Sequence, residues 1–122
     1  MITKLSPMLA VANLQRSIDF YVNALGFRVS STWGPDDEPC WAMVSNGTVE
    51  IMLTVEASDD PPRAGQTIFY FYPDDVLRLH EKLSESGLVV SKVRETAYGM
   101  REFDMLDPDG HRLWFGEESA KT

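Results

Sequence analysis

The sequence contains one cysteine, Cys40, so no disulfide can form within the chain. No apolar run approaches the length that crosses a membrane, and the first four residues lack the apolar stretch of a signal peptide. Basic residues are also few, since 11 Lys and Arg are outnumbered by 19 Asp and Glu, for a net charge of −8. This charge repels phosphate backbones and anionic lipids and attracts cations. We therefore expect a cytoplasmic protein that binds neither nucleic acid nor membrane.

The rest of the composition is that of an ordinary globular protein. Hydrophobic residues make up 43% of the chain and charged residues 25%, and 122 residues is a common single-domain length. The chain is therefore long enough to bury a core. We expect one domain over residues 1–122.

The chain contains an internal repeat with an offset of about sixty residues. Gly26 ends one helical pattern and Gly87 ends another, and 87 − 26 = 61. At this offset Asn13 matches Asp74, and both residue types favour the N-cap of a helix. The chain is therefore expected to consist of two copies of one supersecondary unit.

Each copy is predicted to form a strand, a helix and three strands, because the apolar residues change from period two to helical spacing and back. Asn46–Gly47 predicts a two-residue hairpin turn in the first copy, and Asp107–Gly110 predicts a turn in the second. The predicted strands cover residues 5–11, 27–33, 40–45, 48–55, 67–72, 88–94, 100–106 and 112–115. The fold class is thus α+β, with βαβββ modules over residues 1–57 and 66–122 and a connector over residues 58–65.

Several of these segments carry a family resemblance. The helix Leu14–Tyr21 with the following Leu25–Phe27, and the last hairpin with Arg101–Phe103 and Asp107–His111, occur in the order seen in one superfamily. They resemble the vicinal oxygen chelate superfamily, also called glyoxalase/bleomycin resistance/dioxygenase, and Gly99–Phe103 is most similar to its bleomycin-resistance-like branch. The resemblance implies a cupped mixed sheet with helices on the convex side, a cleft on the concave side, and a homodimer.

Enzymes of this superfamily hold a divalent metal with His, Glu or Gln side chains, one from each of four strands. The resemblance places these positions at Ser6, Met52, Thr67 and Trp114. These side chains are poor ligands for hard or borderline cations, which leaves Glu50 as the one strong ligand nearby. His80 and His111 are expected to have surface roles. We therefore expect no metal, no other cofactor and no catalytic residues.

A second set of side chains is expected on the cleft face, because residues along a strand alternate between the two faces of a sheet. The set is Met8, Glu50, Met52, Phe69, Phe71 and Trp114. The opposite faces of the same strands are already apolar and account for helix packing. An aromatic and Met-rich face of this kind is typical of a small-molecule pocket.

The sequence therefore predicts a metal-free binding protein that sequesters a planar aromatic and cationic compound by stacking and apolar burial, as in antibiotic resistance. The alternative is a metal-dependent glyoxalase-like isomerase, lyase or ring-cleaving dioxygenase with an atypical metal site that uses Glu50. A third interpretation is an interaction module whose aromatic side chains only fill the core.

The purified protein is expected to carry no stoichiometric transition metal, because the four inherited ligand positions hold Ser, Met, Thr and Trp. Elemental analysis after dialysis measures the metal content directly. An equivalent of zinc, iron, nickel or manganese in each chain, lost on Glu50→Ala, would overturn the binding-protein interpretation and favour the enzyme.

Overall fold

The computed structural model describes residues 1–55 and 67–119 of the chain. The chain divides into two compact units, unit 1 over residues 1–63 and unit 2 over residues 64–122. Each unit contains one mixed four-stranded sheet and its own helix, which confirms the α+β fold of tandem βαβββ modules. The predicted connector over residues 58–65 lies outside the described residues. Among those residues, neither helix is long and apolar enough to span a membrane.

Besides a short 3₁₀ helix at Pro35–Asp37, the described residues of unit 1 form four strands and one helix. They are β1 (Met8–Ala10), α1 (Leu14–Asp19), which continues as a π-helical turn (Phe20–Ala24), β2 (Arg28–Trp33), β3 (Trp41–Asn46) and β4 (Val49–Thr54). The strand order is β1, β4, β3, β2, with β1 parallel to β4 and the other pairs antiparallel. The predicted hairpin turn joins β3 to β4, and Gly47 has a φ of 60° there.

Unit 2 repeats this arrangement. Its elements are β5 (Ile68–Phe71), α2 (Val76–Glu85), β6 (Arg94–Glu95), β7 (Met100–Leu106) and β8 (Arg112–Glu118). The strand order is β5, β8, β7, β6, and only β5 and β8 are parallel.

The strand predicted over residues 88–94 is wrong for most of its length. Only Arg94–Glu95 pairs with β7. The N–H of Ser91 donates to the carbonyl of Asp104, but the N–H of Asp104 donates to the Ser91 side chain, both at 2.9 Å. A side-chain acceptor thus replaces a backbone carbonyl, and the regular ladder is interrupted.

Each helix covers one face of its sheet. Helix α1 packs on β3 and β4, and α2 packs on β7 and β8. The strand residues buried on these helix-facing sides are Leu9, Ala42, Val44, Ile51 and Leu53 in unit 1, and Phe103, Met105, Leu113 and Phe115 in unit 2. We call the opposite side of each sheet its open face.

The two histidines are less exposed than predicted. His111 is buried, so its predicted surface position is wrong. Its backbone N–H donates to the Asp107 side chain within the turn before β8. His80 is half buried on α2, with Nε2 2.8 Å from the Ser91 carbonyl and its ring edge-on to Phe103. Both histidines are therefore built into the packing of unit 2.

The helices begin at side-chain caps. The Asn13 side chain accepts a hydrogen bond from the N–H of Arg16 at 2.9 Å, as predicted for α1. Helix α2 begins one residue later than predicted, because Asp75 and not Asp74 accepts from the N–H of Arg78, at 3.0 Å.

The first helical segment is one residue longer than the second. The distance from cap to terminal glycine is 26 − 13 = 13 residues in unit 1 and 87 − 75 = 12 in unit 2. The π-helical turn over Phe20–Ala24 accommodates the extra residue, because its hydrogen bonds span five residues instead of four.

The residues of β1 and β4 correspond to those of β5 and β8 at an offset of 62, whereas Met43 of β3 corresponds to Asp104 of β7 at 104 − 43 = 61. Met8 pairs with Met52 in unit 1, and Tyr70 pairs with Trp114 in unit 2. The differences are 70 − 8 = 62 and 114 − 52 = 62. A change of one residue reverses the face on which a strand side chain lies, so this difference decides which residues form the site.

Asp75→Ala is expected to lower the free energy of unfolding by about 1 kcal/mol, because it removes the side-chain acceptor at the start of α2. Asp74→Ala removes the same charge one residue earlier and is expected to change it by less than about 0.5 kcal/mol. Urea unfolding of both variants measures the difference. Equal losses would show that Asp75 does not act as the cap.

Candidate functional site

The open face of unit 2 carries aromatic and charged side chains from all four of its strands. The register pairs Tyr70 with Trp114, Trp114 with Asp104, and Arg94 with Glu102. Directly paired residues project to the same face of a sheet. These five residues therefore lie together, and we call them the Trp114 cluster.

Glu102 is the buried centre of this cluster. Its side chain is 1% exposed and accepts three hydrogen bonds. The Tyr70 hydroxyl donates to Oε2 at 2.8 Å, and the Tyr98 hydroxyl and Arg94 Nη2 donate to Oε1 at 2.7 and 3.2 Å. A buried carboxylate is strongly unfavourable unless it is hydrogen-bonded and paired, and these donors meet that requirement. Glu102 thereby fixes the positions of three side chains.

Arg94 lies against the indole ring of Trp114. Its Nη1 donates to Asp104 Oδ2 at 3.0 Å while Nη2 donates to Glu102, so two carboxylates on one face of β7 hold the guanidinium. Its Cζ is 5.0 Å from the Trp114 ring centroid, within the range of a cation–π contact. Tyr70 also neighbours the indole, with ring centroids 6.5 Å apart and ring planes inclined at 45°.

The polar network determines the charges that the cluster presents. Burial raises the pKa of Tyr70 far above its ordinary value, and the hydrogen bond from its hydroxyl to Glu102 adds to the increase. The hydrogen bond to Glu102 also raises the pKa of Tyr98. Burial lowers the pKa of Arg94, but the hydrogen bonds and charges of Asp104 and Glu102 raise it overall. The phenols are therefore neutral donors and the guanidinium remains cationic.

Gly116 leaves the space that the Tyr70 side chain fills. Gly116 pairs with Glu102, and a Cβ atom at Gly116 would lie 1.9 Å from the Tyr70 hydroxyl oxygen. Any larger residue would displace the ring that reaches Glu102. The glycine in β8 is therefore explained by the path of the tyrosine across the sheet.

The open face of unit 1 has a different composition. Met8, Met52 and Met43 form a row across β1, β4 and β3, and Trp41 pairs with Trp33 at the far end of β3 and β2. Met8 is 53% exposed and Trp33 is 65% exposed. The face therefore presents thioether and indole groups to its surroundings.

Glu50 lies on the same open face as the methionine row. It pairs with Ser45 in the register of β3 and β4, and its carboxylate forms an ion pair with Lys4. The Lys4 side chain is 62% exposed, so this ion pair contributes little to stability.

Four of the six predicted site residues lie on open faces. Met8, Glu50 and Met52 belong to the face of unit 1, and Trp114 belongs to the face of unit 2. The predicted positions of these four side chains on the side opposite the helix agree with the sheet register. Whether they bind a ligand stays a prediction.

Phe69 and Phe71 do not lie beside Trp114. They pair with Leu113 and Phe115 on the helix-facing side of unit 2. Phe71 stacks on Phe115 with centroids 5.4 Å apart, in a cluster that also includes Phe103. The predicted placement of these two phenylalanines is wrong. An offset of 61 residues between the two copies reverses the faces of β5, whereas the observed offset between β1 and β5 is 62.

The sequence-based prediction did not include Tyr70 and Arg94 of the Trp114 cluster, or Tyr98, which donates to Glu102. Tyr70 corresponds to Met8 at an offset of 62, so alignment of the helix caps Asn13 and Asp75 would have identified it. Arg94 and Tyr98 lie in and after the short strand β6, and no pattern in the sequence indicated that they approach Glu102.

The described donors do not fit a divalent metal. Within residues 1–55 and 67–119, no group of three or more His, Cys, Asp or Glu side chains is placed to hold a metal ion. The open faces offer thioethers, indoles and phenols, and Glu102 already accepts hydrogen bonds from an arginine and two tyrosines. Zinc and similar divalent metals are held in proteins by imidazole, thiolate or carboxylate groups. The side chains on the open faces therefore do not form a site for such a metal.

The fold and the repeat agree with one family. The model of the Glyoxalase/Bleomycin resistance protein/Dioxygenase superfamily matches residues 5–115. This chain therefore belongs to that superfamily, as its helix and last-hairpin segments predicted.

Known relatives include an enzyme and two antibiotic-binding proteins. Glutathione transferase FosA from Serratia marcescens is 26% identical over 110 residues, which cover 86% of this chain and 73% of that protein. TnmS3, an antibiotic binding protein from Streptomyces sp. CB03234, is 22% identical with a TM-score of 0.75, and the match covers 98% of this chain and 99% of that one. A bleomycin-binding protein complexed with bleomycin is 17% identical with a TM-score of 0.75, covering 97% and 100%. These structural likenesses establish the fold.

Glu102→Gln is expected to lower the free energy of unfolding by about 1–3 kcal/mol, because the amide keeps the shape but removes the charge that accepts three hydrogen bonds. Glu118→Gln on the same strand pair is the control, since Glu118 is exposed, and it is expected to have an effect below about 0.5 kcal/mol. Urea unfolding compares the two variants. A similar small effect in both would contradict the role of Glu102 as the anchor.

Proposed function

We propose that this chain is a small-molecule-binding member of the superfamily that sequesters a planar aromatic compound. The observation that carries the proposal is the Trp114 cluster, in which Tyr70 donates a hydrogen bond to Glu102, and Arg94, held by Glu102 and Asp104, lies over the Trp114 ring. Planar rings stack well on indole and phenol surfaces, and such pairs contribute about 1 kcal/mol beyond burial.

The polar anchoring distinguishes this face from a packed core. On the helix-facing side, Phe71, Phe103 and Phe115 contact one another and have no polar groups to satisfy. On the open face, Tyr70 and Tyr98 are oriented by a buried carboxylate, and Tyr98 is 67% exposed. Side chains fixed before a ligand arrives lose less conformational freedom on binding. This arrangement favours a ligand-binding surface over a face whose aromatic side chains only pack within the protein.

A long-range attraction of cationic compounds towards the protein is part of the proposal. The net charge of −8 creates an attractive field for cations around the protein, and Glu50 places a carboxylate on the open face of unit 1. This attraction acts over distance and is screened by salt.

Sequestration of an antibiotic is the proposed biological role. TnmS3 and the bleomycin-binding protein, which share the fold, bind antibiotics. We also propose a homodimer, because all six residues of the edge strand β2 are exposed and a second copy could pair with this edge. Light scattering at micromolar concentration measures the mass, and a monomer would contradict this part of the proposal.

The alternative function is an enzyme with an atypical metal site at Glu50. One observation favours it, which is the relationship to a protein named as a glutathione transferase. The ion pair between Glu50 and Lys4 and the thioether neighbours of Glu50 argue against it. Elemental analysis of the wild type and Glu50→Ala separates the two functions.

Trp114→Ala is expected to weaken binding of acridine and N-methylacridinium about fivefold, because each loses one stacking partner. Phe71→Leu is the matched control, since Phe71 lies on the helix-facing side and its replacement should leave both affinities unchanged. Isothermal calorimetry at mildly alkaline pH, where acridine is neutral, measures both probes.

Two outcomes would overturn the proposal. One is the absence of saturable binding by the wild type for a panel of planar aromatic probes. The other is an equal loss of affinity in Phe71→Leu and Trp114→Ala, since both variants would then act through stability and not through contact with the probe. Thermal unfolding of each variant is measured alongside.

A further inference from the structure

We propose that Arg94 sets the charge selectivity of the Trp114 cluster: it occupies the cation position on the indole ring, so that this face favours neutral aromatic rings over cationic ones. This inference rests on the proposed function and names the ligand class that the cluster itself accepts. The preference for neutral rings is local to the Trp114 indole. It is distinct from the long-range attraction that the net charge of the whole protein exerts on cations.

The first step is the position of the guanidinium. Its Cζ lies 5.0 Å from the centroid of Trp114, and tryptophan is the aromatic side chain that attracts cations most strongly. A ligand cation that approached this ring would seek the same electron-rich surface. Arg94 already fills it within the chain.

The second step is the state of the neighbouring carboxylates. Glu102 and Asp104 are the acidic side chains that pair with Arg94, at 3.2 and 3.0 Å. Glu102 is buried beneath the two tyrosine hydroxyls and is not accessible to a ligand. The carboxylates that would attract a cation to the indole are therefore already bound to a cation of the protein itself.

The third step is that Arg94 is both held and accessible. Its two terminal nitrogens donate to different carboxylates on β7, a fork geometry that lysine cannot reproduce. Its side chain is nevertheless 38% exposed, so it forms part of the surface that a ligand at Trp114 would contact. A cationic ligand must either lie close to this positive charge or displace it and break both hydrogen bonds. A neutral ring is not repelled by the guanidinium and does not need to displace it. Binding sites commonly reject a competing ligand through an unfavourable contact such as this charge repulsion.

The test compares a neutral and a cationic probe of the same shape, acridine and N-methylacridinium, by isothermal calorimetry at mildly alkaline pH. Arg94→Gln is expected to raise the ratio of cationic to neutral affinity about three- to tenfold, because it removes the competing charge and releases the carboxylates. Arg94→Lys keeps the charge and is expected to stay nearer to the wild-type ratio.

Arg101→Gln is the matched control. Arg101 is the neighbour of Glu102 on β7, so it lies on the opposite face, where it pairs with Glu95 at 2.9 Å. Its substitution changes the net charge of the chain by the same amount as Arg94→Gln. The ratio is expected to stay unchanged in this variant. An equal rise in both variants would mean that net charge and not Arg94 sets the selectivity, and it would overturn the inference.

Asp104→Asn tests the same idea without removing the arginine, in case Arg94→Gln does not fold. Asp104 is 37% exposed, and its substitution leaves Arg94 with less negative charge beside it. The ratio is expected to fall about threefold. Glu118→Gln, which makes the same change of charge at an exposed position, is expected to leave it unchanged. No difference between these two variants would also overturn the inference.

The failure of this inference is distinguishable from the failure of the proposed function. If both probes bind and depend on Trp114, but their ratio does not respond to Arg94 or Asp104, only the selectivity role is wrong. If neither probe binds to the wild type or to Arg94→Gln, both proposals are wrong.

Discussion

The arrangement of unit 2 depends on the need of one buried carboxylate for hydrogen-bond donors. Glu102 is on the open face of β7, yet its side chain is almost fully covered. A carboxylate in that position is stable only if donors surround it, which brings Tyr70 from β5, Arg94 from β6 and Tyr98 from the loop that follows. Gly116 is required on β8 because the tyrosine crosses above it. Without this carboxylate, the three donors would have no common acceptor. The close approach of the Tyr70 ring that requires glycine at position 116 would also no longer be needed.

The same requirement explains the difference between the tyrosine and phenylalanine residues of β5. Phe69 and Phe71 have no hydroxyl group and lie on the side where α2 and the aromatic core provide apolar contacts. Tyr70 lies between them in sequence but faces the carboxylate on the other side. Alternation along one strand thus separates the rings of the aromatic core from a ring that is hydrogen-bonded on the open face.

The two units share a topology but present different chemistry. Met8 and Met52 occupy the positions in unit 1 that Tyr70 and Trp114 occupy in unit 2. Methionine side chains are flexible and adapt to irregular shapes, whereas Tyr70 is hydrogen-bonded to Glu102 and the Trp114 ring packs against Arg94. The repeat therefore supplies one adaptable face and one preorganised face. This difference is what the proposed binding of aromatic compounds uses.

The repeat, the fold class and most strand positions can be predicted from the sequence, because helix caps, terminal glycines and period-two alternation are local features of the chain. The alternation also placed Met8, Met52 and Trp114 on open faces. It could not place Phe71, because one extra residue in a π-helical turn changed the offset between the units and reversed the faces of β5.

The set of charged side chains beside Trp114 depends on tertiary contacts. Arg94 pairs with Glu102 across β6 and β7, and the Ser91 side chain accepts a hydrogen bond from the N–H of Asp104 where the expected strand is interrupted. Such contacts join residues that are far apart in sequence and leave no periodic signal. Alternation depends on the geometry of one strand, whereas register depends on which partners the complete sheet provides. For that reason the faces of β1, β4 and β8 were predictable from the sequence, whereas the faces of β5 and the composition of the cluster were not.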